Sequence, residues 1–76
     1  MFLRRRRIKF TPKAITIFQR NVQEYPQSWN VYDSLGEAYM KTGQKSLAIA
    51  NYEKSLQLNP KNQNGIEMLK KLKGIK

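Results

Sequence analysis

Few residues in this 76-residue chain could do chemistry, and those few lack the neighbours that chemistry needs. The chain contains no histidine and no cysteine. That removes the commonest general base, the thiolate nucleophile and the soft metal ligands. Ser28, Ser34, Ser46 and Ser55 have no imidazole to activate them, and none begins a Ser-x-x-Lys motif. The acids are Glu24, Asp33, Glu37, Glu53 and Glu67. Asp33 and Glu37 stand four residues apart and so share one side of a helix. Two carboxylates are too few for a hard cation, which takes six or more oxygens. No glycine-rich phosphate loop is present. The expectation is a non-catalytic protein with no metal and no cofactor.

Charge is the next candidate for function. Fifteen basic residues against five acidic ones give a formal +10. Arg4, Arg5, Arg6, Arg7 and Lys9 form one block, and Lys70, Lys71, Lys73 and Lys76 a second cluster. Such blocks bind nucleic acid or an anionic surface by counterion release. They are also what a solvated, flexible tail looks like. The arginine block has no interleaved aromatics, which argues against specific nucleic-acid recognition. No apolar segment of secretory type follows it, and no run of 18 apolar residues exists. Neither a signal peptide nor a membrane span is expected, and the default location is cytoplasmic.

The elements that would position any site read as four helices and no strand. The first runs from Pro12 to Glu24. Thr11 is a good N-cap there, and Pro12 a good first residue because its missing N–H would be unpaired anyway. Tyr25-Pro26 ends it. The second runs from Trp29 to Thr42, with Ser28 as N-cap and Gly43 as a left-handed terminator. The third runs from Ser46 to Leu58. The fourth runs from Gln63 to Lys73 between Asn62 and Gly74. Short connections make consecutive helices pack as antiparallel hairpins.

The spacing is repetitive. Ala14, Phe18 and Pro26 precede Ala48, Tyr52 and Pro60 by 34 residues each. With Tyr32-x-x-Leu35-Gly36-x-x-Tyr39 ahead of Ala48-x-x-x-Tyr52, the chain resembles the tetratricopeptide (TPR) repeat. The resemblance implies an all-α array of antiparallel helical hairpins. It comprises the second helix of a truncated repeat (11–27), one complete repeat (28–61) and a capping helix with tail (62–76). Residues 1–10 stand outside it as a basic segment. One period before Gly36 lies Phe2, and an arginine run cannot supply the apolar face of a first helix. The stretch from Pro26 to Tyr39, PQSWNVYDSLGEAY, with the Asn59-Pro60 break, also looks like the TPR tails at the C-termini of some bacterial serine hydrolases and esterases. No catalytic residue carries over from that likeness.

Tyr32, Leu35, Gly36, Tyr39, Ala48, Tyr52 and Pro60 are the motif's packing positions, with Gly36 expected against Ala48. At 100° per residue, Asn30, Asp33, Glu37 and Lys41 fall opposite the apolar arc of the second helix, with Met40 at its rim. The resemblance makes these five the candidate groove residues for a protein or peptide partner. Asp33 and Glu37 would repel a ligand's terminal carboxylate, so a neutral or basic segment fits better. The alternative reading is a small basic binder of nucleic acid or anionic surfaces using Arg4–Arg7 and the C-terminal lysines. On the first helix, Ala14, Ile15, Ile17, Phe18 and Val22 span roughly 160°. That is wide enough for neighbours on two sides, and a homodimer through this face is expected.

Overall fold

The computed structural model describes residues 12–74, and all of its regular structure is helical. The helices are α1 (Pro12–Glu24), α2 (Trp29–Lys41), α3 (Lys45–Leu58) and α4 (Gln63–Lys73). Thr11, the arginine block and Lys76 lie outside the described residues, as does every expectation placed on them. No helix is long and apolar enough to cross a membrane among the described residues.

The boundaries follow local chemistry. After Lys41 the chain turns at Gly43, whose φ of +81° is costly for any residue with a Cβ. The Gly43 N–H donates to the Met40 carbonyl at 3.2 Å, and the Gln44 N–H to the Tyr39 carbonyl at 2.8 Å. This pair of bonds is a Schellman motif, which satisfies the last carbonyls of α2. Thr42, expected inside the helix, is its C-cap instead. α3 starts one residue before the expected Ser46, because the Gln44 carbonyl already accepts the Ala48 N–H at 3.0 Å. Ser28 holds the extended conformation of an N-cap at α2, yet its side chain makes no capping bond. Asn62 does cap α4, its side-chain oxygen accepting the Gly65 N–H at 3.2 Å.

The core is the α2–α3 hairpin. Leu35, Tyr39, Ala48 and Tyr52 form its buried cluster. Burying a residue such as Leu35 contributes roughly 1.5–3 kcal/mol. Ile15, Phe18 and Val22 from α1 pack on one side of this cluster, and Met68, Leu69 and Leu72 from α4 on the other. Gly36 lies at the closest approach of α2 to α3. A Cβ built on it would stand 3.1 Å from the ring of Tyr52. The atoms closest to that position belong to the Tyr52 ring, itself one of the motif's packing positions. Ala48 is itself fully buried one helical turn earlier. The small residue makes room for an aromatic ring.

Candidate interaction face between α2 and α4

A buried polar network fixes α4 beside α2. Asn62, only 5% exposed, sits at its centre. Its amide nitrogen donates to Asp33 Oδ2 at 2.7 Å and to Ser55 Oγ at 2.9 Å. The Ser55 hydroxyl donates to the Trp29 carbonyl at 3.1 Å. The Asn64 amide donates to both oxygens of Asp33, at 3.1 and 3.2 Å. Three helices thus meet on one set of hydrogen bonds, each partner satisfied by another. Gly65 is part of the fit, since a Cβ there would come within 2.9 Å of the Asn62 amide.

With α4 held in this way, a concave site of about 430 Å³ opens between the two helices. Glu37, Met40 and Lys41 line it from α2, Asn64, Met68 and Lys71 from α4, and Tyr52 from α3. Glu37, Met40 and Lys41 are three of the five groove candidates. Asn30 is exposed and is not among the lining residues. Asp33 is half-buried, and its carboxylate is engaged by Asn62 and Asn64. Its first task is holding α4 in place. Its charge still reaches the site: together with burial and Glu37, it pushes the Tyr52 phenol well above the usual tyrosine value near 10. Burial is the largest of these causes. Tyr52 therefore stays protonated throughout the neutral range.

The three buried tyrosines differ at their hydroxyls. Tyr32 donates to the Pro26 carbonyl at 2.9 Å and pins the α1–α2 turn. Tyr39 accepts from the Gln19 amide at 2.7 Å and ties α1 to α2. The Tyr52 hydroxyl is buried and has no hydrogen-bond partner among the described residues. Sequence reasoning did not single out Asn64, Met68, Lys71 or the Tyr52 hydroxyl for this site. The signal for the α4 residues was available in part: Asn64, Met68 and Lys71 recur at helical spacing on one side of α4. Charges of both signs, Glu37 with Lys41 and Lys71, are among the lining residues. Among the described residues no group of acids is placed to hold a metal ion.

A second concavity, also about 430 Å³, lies between α1, α2 and the start of α3, with Ile15, Gln19, Tyr39 and Leu47 in its walls. Of the five residues expected at a dimer face, Ile15, Phe18 and Val22 are turned to the core. Ile17, 55% exposed, is not.

Short antiparallel hairpins stacked side by side, with a small residue at the seam, define a helical-repeat fold. Residues 29–62 match the family model described as Tetratricopeptide repeat, and this segment is a tetratricopeptide repeat. Such repeats mediate protein–protein interaction and are typically non-catalytic. The chain is similar to cellulose synthase operon protein C of Escherichia coli (strain K12), with 38% identity over 52 residues. A counterpart from Escherichia coli O157:H7 matches equally. The matched stretch is 68% of this chain, and the chain spans about 4% of the length of these curated relatives. No solved structure matches significantly.

Proposed function

We propose that the chain is a non-catalytic interaction module that takes a peptide, or a segment of a neighbouring domain, on the face between α2 and α4. The observation that carries this reading is the convergence of Glu37, Met40 and Lys41 with Asn64, Met68 and Lys71 around one concave site. Two methionines supply adaptable apolar contact, and the charged groups stand around them. The charge pattern refines the partner's chemistry. Lys41 and Lys71 balance Asp33 and Glu37, so a neutral segment is the best match. The two-dimensional NMR spectrum of the labelled protein, titrated with end-blocked peptides that are neutral, basic or acidic, tests the reading. Shifts should gather on the six helix residues named above and be largest with neutral peptides. Shifts confined to α1, or none with any peptide, would refute it.

Self-association through α1 is a separate proposal, supported by the exposed Ile17 on that helix. Sedimentation at micromolar concentration checks it. A single 9.0 kDa species that persists on concentrating would exclude it.

A further inference from the structure

We infer that the Tyr52 hydroxyl is a ligand-binding donor: it gives its hydrogen bond to a neutral acceptor of the docked segment, a main-chain carbonyl or a side-chain carboxamide. The inference rests on the reading of the α2–α4 face as the docking face, and it names the contact at the floor of that site. Tyr52 is fully buried, and its ring fills the space left by Gly36. A phenylalanine would fill that space equally. The hydroxyl is the added atom, and among the described residues nothing pairs with it. A buried hydroxyl without a partner destabilises the fold. The two other buried tyrosines both spend their hydroxyls inside the protein, on Pro26 and Gln19. Tyr52 instead belongs to the lining of the concave site, and its hydroxyl, sealed in the unliganded chain, is reached by a docked segment when flexible side chains of the site part.

Chemistry narrows what can meet it. The phenol is held protonated by burial and by the nearby carboxylates of Asp33 and Glu37. It can therefore donate, and a ligand group placed against it must accept. An ammonium group has no lone pair to offer. A ligand carboxylate would accept well but would lie close to Asp33 and Glu37, and like charges repel. A neutral carbonyl oxygen meets both conditions. Met40 and Met68 then leave an apolar slot for the side chain next to that carbonyl. The occupant is thus an uncharged, extended stretch of peptide with one apolar side chain.

The test compares the natural protein with Tyr52→Phe, using uncharged octapeptides built from Gly, Ser, Asn, Leu and Met with both ends blocked. The methyl signals of Met40 and Met68 report occupancy. Tyr52→Phe should melt no lower than the parent and should bind the peptides roughly three- to tenfold more weakly, the loss expected for one neutral hydrogen bond. The 13C signal of the Tyr52 phenol carbon in the natural protein is the second readout, valid whatever the variant's stability. It should shift as peptide is added. Equal affinity of Tyr52→Phe, or a phenol signal that stays still while the methionine methyls move, would mean that the docked segment does not reach the hydroxyl. That overturns the inference and leaves the docking face standing. Tighter binding of an acidic peptide would also overturn it. If no peptide moves the methionine methyls, the docking face itself falls, and this contact with it.

Discussion

The helices on either side of the α2–α3 hairpin are attached by different means. α1 leans on the hairpin through Ile15, Phe18 and Val22, with a side-chain hydrogen bond to α2 from Gln19 to Tyr39. No residue of α1 is fully buried. α4 also brings apolar side chains, but it is keyed by Asn62, which bonds α2 and α3 together and caps α4 itself. Apolar contact is non-directional and tolerates small slips. A buried network of hydrogen bonds tolerates none, because each displaced partner is left unpaired. The junction that must hold the concave site open at a fixed width is the polar one.

The sharpest way to break this comparison is Asn62→Ala. It removes the α4 cap, worth about 1 kcal/mol. It also strips partners from buried groups, at about 1–3 kcal/mol. A loss of roughly 2–4 kcal/mol is expected from the shift of the urea midpoint. Gly36→Leu is the control at the hairpin's centre. It drives a side chain into the Tyr52 ring and should cost about 1–3 kcal/mol or more, read the same way. A Gly36→Leu variant that melts like the parent would show that the seam has slack.

Gln19→Ala tests the weaker flank. It leaves the Tyr39 hydroxyl without its partner and should cost about 1 kcal/mol. Should it equal or exceed Asn62→Ala in the same titration, the two flanks are not held differently. The smallest effect is expected at Lys73→Ala. Lys73 meets Glu53 at 2.8 Å, but both side chains are exposed, 40% and 50%. Thermal melting should move by less than about 0.5 kcal/mol equivalent, and less again in high salt.

The helices were legible in the sequence because their ends carry strong local chemistry. Asn62, Gly43 and Gly74 each solve a problem of backbone geometry or unpaired N–H groups, and such problems are local. The start of α3 was less legible, since Gln44 and Lys45 carry no capping signal and the boundary is set by a backbone bond. The site was read in part. Glu37, Met40 and Lys41 followed from the periodicity of α2 and the family resemblance. The engagement of Asp33 could not be foreseen, because its partners Asn62 and Asn64 lie 29 and 31 residues away. Ser55 was equally opaque. A serine in mid-helix looks like a solvent-facing residue until the Trp29 carbonyl and Asn62 are seen beside it. That the Tyr52 ring is what Gly36 makes room for was not legible, since spacing gives the face of a helix and not which side chain on that face reaches furthest.

The absence of any fully buried residue on α1 has a consequence for the order in which the protein opens. Among the described residues, releasing α1 gives up partial contacts and the Gln19–Tyr39 bond, while α2 and α3 keep their shared core. Amide protons of α1 should therefore exchange with solvent through a local opening of low free energy. Those of α2 and α3 wait for the whole molecule to unfold. In deuterated buffer the protein would show a stepped pattern of protection, with the helical hairpin that carries Tyr52 as its slowest-exchanging unit.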